Sequence, residues 1–136
     1  MLSCLNLFAV DYHQELLDEL AKNFRAPGLR LIRNDGTDFP GIPDRCVDFL
    51  FTFGVFVHLE TSIIGAYLGQ MKRILKPSGC AVIQYSDKTK LAAQQDPTFS
   101  ENRPEVMRAM LVAHGYKILE EDTHTLWHSS VVRFSL

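Results

Sequence analysis

The feature that most restricts the fold of this chain is the run 47–53, VDFLFTF, which is aromatic, almost wholly apolar and closed by Gly54. A continuous apolar run of strand length is the pattern of a strand covered on both faces, so this segment is expected at the centre of a parallel sheet. Shorter runs at 5–10, 29–32 and 80–85 have the same character. Helical patterns lie between them. Leu16, Leu17, Leu20 and Phe24 recur opposite Glu15, Asp18, Glu19 and Lys22, and Ile63, Ile64, Tyr67, Leu68, Met71, Ile74 and Leu75 share one face. Strands alternating with helices imply a mostly parallel sheet joined by right-handed crossovers.

The punctuation agrees. Asp11 followed three residues later by Gln14 has the form of a capping box at the start of the first helix, and Pro27-Gly28 ends it. Asn34-Asp35-Gly36 is a turn signal, with 37–44 as loop. Thr61 is a candidate cap for the second helix, and Pro77-Ser78-Gly79 is expected to stop it. Gly65 and Gly69 weaken that helix intrinsically, so they are expected to allow close approach to the sheet. Pro104 opens a further helix with Val106, Met107, Met110 and Leu111 facing inward, ending at His114-Gly115. Segments 116–121 and 126–134 are separated by a few residues and should form an antiparallel hairpin. The expected architecture is one domain over 1–136, a three-layer α/β sandwich. Its ligand edge lies beyond the carboxyl ends of the strands, at Asp11, Asn34-Asp35-Gly36, Phe53-Gly54 and Ser86-Asp87.

Composition narrows the function classes. The 136 residues are 46% hydrophobic and 22% charged, enough to bury a core. Fourteen Lys and Arg against 16 Asp and Glu give a net charge of −2 without a basic block, which argues against nucleic acid as a partner. No apolar run reaches the ~20 residues of a membrane span, and residues 1–10 lack the basic flank of a signal peptide. Cys4, Cys46 and Cys80 are odd in number and widely spaced, unlike a disulfide framework or a zinc cage, and fit a reducing, cytoplasmic setting. Cys46 and Cys80 border strands and are expected to be small buried hydrophobes. Trp127 is expected in the core. His124 and His128 would lie roughly 13 Å apart on a strand, too far for one metal ion.

The stretch from Val47 to Tyr85 carries a resemblance. It reads VDFLFTFGVFVHLE and then YLGQMKRILKPSGCAVIQYS. A D-hydrophobic strand, a loop with a His-Leu pair, and a helix ending in R-hydrophobic-L-K-P-x-G (here Arg73-Ile74-Leu75-Lys76-Pro77-Ser78-Gly79) resemble the class I S-adenosylmethionine-dependent methyltransferases. The final helix, Gly115-Tyr116 and the reversed hairpin are similar to that family's ending. The resemblance implies a Rossmann-like sheet and S-adenosylmethionine as cofactor, with S-adenosylhomocysteine as product.

It also implies site roles. Asp11 sits where the family places an acidic residue for the ribose hydroxyls, a task that suits a carboxylate. Asp35, with Asn34 and Gly36, is similar to the segment that binds adenine, with Asp38 as the alternative acid. Phe53, Gly54 and Val55 correspond to the loop along the methionine part of the cofactor. His58 lies toward the substrate side and is the candidate general base, since imidazole titrates near neutral pH. Each has a plainer reading: Asp11 as a helix cap, Asp35 as a turn residue before Gly36, and His58 as a packing or helix-start residue.

One departure stands out. The family's first strand carries an E/D-x-G-x-G-x-G turn, and none occurs in this sequence. The first βα unit is therefore expected to be missing, with the chain beginning about one such unit late and the domain incomplete at its N-terminus. Two readings follow. One is methyl transfer from S-adenosylmethionine to a small-molecule acceptor, where the protein chiefly supplies position and a shaped cavity. The other is a non-catalytic remnant of the fold acting as an interaction or oligomeric module, for which a homodimer is expected because an unpaired apolar strand edge recruits another chain. A nicotinamide-binding domain is a weaker third, needing the same glycines.

Overall fold

A computed structural model of the protein describes residues 6–136. The chain divides into two compact units, Met1–Pro43 and Asp44–Leu136. Leu5, expected to begin the first strand, lies outside the described residues.

The first unit is a βαβ arrangement of β1 (Leu7–Asp11), α1 (Gln14–Asn23) and β2 (Leu29–Arg33). The strands pair in parallel, from Leu7 opposite Leu29 to Asp11 opposite Arg33. The capping box does not form. Asp11 is the last residue of β1, and its Oδ1 accepts the His13 backbone N–H at 2.8 Å. His13 is the N-cap without a side-chain bond, and Gln14 Nε2 donates forward to Asp18 Oδ1 at 2.9 Å. The ladder to Arg33 holds Asp11 extended, so its short carboxylate spans two residues but not the distance to the helix. Leu17 is buried, whereas Leu16 and Phe24 are about half exposed, so the buried stripe of α1 is narrower than the periodicity implied.

The second unit contains β3 (Val47–Thr52), a 3-10 turn (Phe56–His58), α2 (Thr61–Ile74), β4 (Leu75–Ser86), α3 (Leu91–Gln95), α4 (Pro104–Ala113), β5 (Lys117–Asp122) and β6 (Ser129–Ser135). Its sheet runs β3-β4-β6-β5, with β3 parallel to β4 and the remaining pairs antiparallel. The predicted C-terminal hairpin is present. Its second strand lies inside, against β4, so that the antiparallel ladder from Cys80–Ser135 to Ser86–Ser129 fixes the carboxyl end of β4.

Pleating sorts this sheet into two unlike faces. Ala81, Ile83 and Tyr85 of β4 and Val132 and Phe134 of β6 are buried, as are Ile64, Leu68, Met71 and Ile74 of α2 and Met107 and Leu111 of α4. These make the core. On the other face the row Phe49, Phe51 and Phe53 is 57%, 61% and 51% exposed. Beside it lies a groove of about 350 Å³ lined by residues that include Phe53, Val82, Leu126 and Val131.

Several expectations change. The run at 47–53 was expected at the centre of a sheet; among the described residues β3 instead ends the sheet, paired only with β4. α2 stops at Ile74 and β4 begins at once with Leu75, because Val47 pairs opposite Leu75; Pro77-Ser78-Gly79 therefore lies within strand rather than after a helix. Glu60, not Thr61, is the N-cap. The close backbone approach falls at neither helical glycine. A Cβ on Gly65 would find its nearest neighbour 3.9 Å away and one on Gly69 would meet nothing, but one on Gly79 would lie 2.7 Å from the Val47 carbonyl oxygen. Trp127 is 75% exposed, placed in the turn before β6 rather than on the strand's buried face. Cys46 and Cys80 are half-buried free thiols, because Cys80 belongs to the open face of β4 and Cys46 precedes β3. Among the described residues no helix is long and apolar enough to cross a membrane, and no His, Cys, Asp and Glu cluster could hold a metal ion.

Candidate functional site

In the first unit, parallel pairing brings the carboxyl ends of β1 and β2 side by side, and with them four of the expected residues. The Asn34 N–H donates to the Asp11 carbonyl at 3.0 Å. Gly36 adopts φ +94°, open to glycine at no steric cost, and lies against Tyr12, whose ring would be 3.6 Å from an added Cβ. Asn34 is buried and binds the loop from within: its Nδ2 donates to the Asp38 carbonyl at 2.9 Å and its Oδ1 accepts from Gly36 N–H at 3.2 Å.

Asp35 is exposed, and its Oδ1 accepts from both the hydroxyl and the N–H of Thr37 at 2.8 Å. The Thr37 hydroxyl is the main reason its carboxyl is held below the ordinary carboxylate range. The turn role proposed for Asp35 is therefore occupied, which leaves its other oxygen for a donor from outside. Asp38 Oδ1 accepts the Asp35 N–H at 3.3 Å, bracing the same loop. Of the Asp11 carboxylate, Oδ1 is bound to His13, while Oδ2 takes no hydrogen bond among the described residues.

In the second unit, Phe53, Gly54 and Val55 leave the carboxyl end of β3. Gly54 has φ +76° and donates its N–H to Gln84 Oε1 at 2.7 Å, while a Cβ there would meet no atom within 4 Å. Phe53 stacks on Phe51, the rings 6.2 Å apart and 9° from parallel. Val55 is half exposed and its carbonyl accepts the His58 N–H at 3.1 Å, closing the 3-10 turn. His58 is exposed, with Nδ1 2.9 Å from the Thr98 carbonyl. A carbonyl only accepts, so Nδ1 carries a proton, and in the neutral ring Nε2 is the nitrogen with the lone pair. The Phe99 ring stands edge-on to His58 at 5.3 Å and to His128 at 5.4 Å.

Sequence reasoning missed what holds this edge. Gln84 is almost fully buried and links Gly54 to Ser129, donating to its Oγ at 2.7 Å. Asp87, 1% exposed, accepts from the Ser130 hydroxyl at 2.6 Å and from the Thr89 hydroxyl at 2.5 Å. Lys90 Nζ lies 3.7 Å from Asp87 and donates to the carbonyls of Leu126 and Ser129. Burial pushes the Asp87 carboxyl up, but the hydroxyls of Ser130 and Thr89, the Thr89 N–H and the Lys90 charge outweigh it and leave it below the ordinary range. The signal existed: Gln84 is a polar residue inside the apolar run CAVIQYS, and a buried amide needs partners.

The parallel β1-β2 pair and the mixed β3-β4-β6-β5 sheet, each with its helices, are those of a Rossmann-like α/β protein. Many solved structures share the fold, three of them as follows. A S-adenosylmethionine-dependent methyltransferase from Archaeoglobus fulgidus matches at TM-score 0.71 and 16% identity, covering 95% of this chain and 75% of that one. One from Mesorhizobium loti matches at 0.79 and 10%, covering 96% and 80%. LepI, solved in complex with S-adenosylmethionine, matches at 0.71 and 12%, covering 96% of this chain but 36% of its own. No curated protein matches in sequence. The profile of the methyltransferase domain family matches residues 2–79, more than half of the sequence, and the chain belongs to that family.

Proposed function

We propose that the protein binds S-adenosylmethionine and transfers its methyl group to a small-molecule acceptor. The observation that carries this reading is the methyltransferase-domain match over residues 2–79, which includes Asp11, the loop at 34–36 and the turn at 53–55. The residues present suit the cofactor chemically. An Asp11 oxygen without an internal donor is what a pair of ribose hydroxyls requires. Gly36 and Gly54 present backbone without side chains. When bound, the cofactor supplies an activated methyl group on a sulfonium, so the protein need contribute only position and, for some acceptors, a base.

Here the chain's own residues would divide the work. Asp11 would accept from the ribose, and Asn34, by fixing Gly36, would set the backbone that meets adenine. Gln84 holds the Gly54 turn and so the line of backbone from Phe53 to Val55. His58 would take an acceptor proton at Nε2, its Nδ1–H being committed to Thr98. A solved structure described as a pericyclic reaction enzyme also shares the fold, so the acceptor chemistry is a property of the site and not of the fold.

Melting the protein with and without S-adenosylhomocysteine tests the reading without an acceptor. A ligand present at 100 times its dissociation constant adds about 2.7 kcal/mol to stability. A rise in Tm that saturates with ligand is the expected result. An unchanged Tm at millimolar ligand would remove the cofactor from the account.

A further inference from the structure

We infer that the carboxyl end of β4 holds a subsite for the carboxylate of a small aromatic acid, the class of acceptor this chain would take. Among the described residues, four buried side-chain atoms have no hydrogen-bond partner: Ser86 Oγ, Ser100 Oγ, Asn102 Nδ2 and His128 Nδ1. They belong to segments that meet at one place. Ser86 closes β4 opposite Ser129, the neighbour of His128. The Lys88 N–H donates to the Asn102 carbonyl at 2.8 Å, the Asn102 N–H to the Ser100 carbonyl at 2.9 Å, and the Ser100 N–H to the Val57 carbonyl at 2.8 Å, beside His58. Ser86 and Asn102 are at most 1% exposed and Ser100 is 8% exposed, out of reach of bulk solvent, whereas buried polar groups are as a rule bonded.

The chemistry of these atoms selects the ligand. An amide nitrogen only donates and a hydroxyl is free to donate, so together they call for an acceptor. The acids at this end are engaged: Asp87 by Ser130, Thr89 and Lys90, Asp96 Oδ1 by Thr98, while Glu101 lies 3.9 Å from Lys88. The lysines are engaged as well, Lys88 Nζ with the carbonyls of Ala93 and Asp96 and Lys90 Nζ with those of Leu126 and Ser129. Neutral donors with both lysines committed suit the single charge of a carboxylate better than the higher charge of a phosphate. The rings supply the rest. Phe99 stands edge-on at 5.3 Å from His58 and 5.4 Å from His128, and Trp127 follows at 5.3 Å from His128. This row of four, exposed at its two ends, His58 and Trp127, is a surface for a planar aromatic body.

The inference rests on the methyl-transfer reading only in calling this ligand the acceptor; the subsite is titrated without cofactor, so the two fail separately. Calorimetry of the full chain with sodium benzoate is the test. Saturable binding is expected, at least roughly tenfold tighter than that of acetate, which lacks the ring, benzamide, which lacks the charge, or inorganic phosphate, which carries more of it. Ser86→Ala and Ser100→Ala each remove an unpartnered hydroxyl, so the melting temperature without ligand should hold or rise while the Kd for benzoate rises roughly tenfold. Absence of saturable heat with benzoate overturns the inference, as does any of the three controls binding as tightly. So does a lowered melting temperature or an unchanged Kd in both variants, since the hydroxyls would then be structural or idle.

Discussion

The backbone N–H of Gly54 donates to the side-chain oxygen of Gln84 at 2.7 Å, so the turn leaving β3 is fixed by a buried amide on the neighbouring strand. The other end of that amide holds Ser129 at the start of β6. Three strands thus share one polar clamp at the edge where the site is proposed.

Replacing Gln84 by Leu keeps the volume but leaves the Gly54 N–H and the Ser129 hydroxyl without a partner. A loss of about 1–3 kcal/mol is expected, read as a lower urea midpoint at unchanged m-value. A variant as stable as the wild type would show that water replaces the clamp.

Two glycines give opposite expectations. Gly79→Ala would drive a methyl against three backbone carbonyls, Val47 at 2.7 Å, Lys76 at 3.1 Å and Asp48 at 3.2 Å, none of which can rotate away. A cost of about 3 kcal/mol follows from such overpacking. Gly69→Ala meets nothing in an exposed helical position and should stabilise by about 0.5–1 kcal/mol. Thermal melts of the two variants check both directions at once.

Asp87 makes stability fall in acid. Its folded-state pKa lies below the ordinary value of 3.8, so the folded form binds fewer protons than the unfolded one in this range. The contribution is fully present above about pH 3.8 and is lost as pH falls through the folded value. Unfolding of Asp87→Asn should depend less steeply on pH below 3.8 than that of the wild type. Parallel curves for the two proteins would assign the acid limb to other carboxylates.

Much of the fold was legible because hydrophobic period and Gly/Pro punctuation are local. β2, α4 with Pro104 at its start, and the final hairpin lie close to where the pattern put them. What was not legible is what depends on partners. The run VDFLFTF reads as central because its residues want both faces covered, but position in a sheet is set by which strands exist beside it. Pro77-Ser78-Gly79 reads as a helix stop, and only the pairing of Val47 with Leu75 starts the strand earlier. At the candidate site the resemblance points to Asp11, Asn34, Asp35 and Gly36, and what was legible locally is the turn chemistry of the N-D-G tripeptide. Gln84 was missed, and Asp87 was placed on the edge without its partners, because a buried polar clamp is made across strands of distant sequence, with Asp87 and Ser130 43 residues apart.

The central claim is that Asp11 meets the ribose of the cofactor, and titration calorimetry with S-adenosylhomocysteine tests it most directly. The account predicts saturable micromolar binding to the wild type, with Kd raised about tenfold or more in Asp11→Ala, the loss of a charge-assisted hydrogen bond, while the melting temperature without ligand stays close to that of the wild type. Absent heat in the wild type, or the same Kd in both proteins, would contradict it.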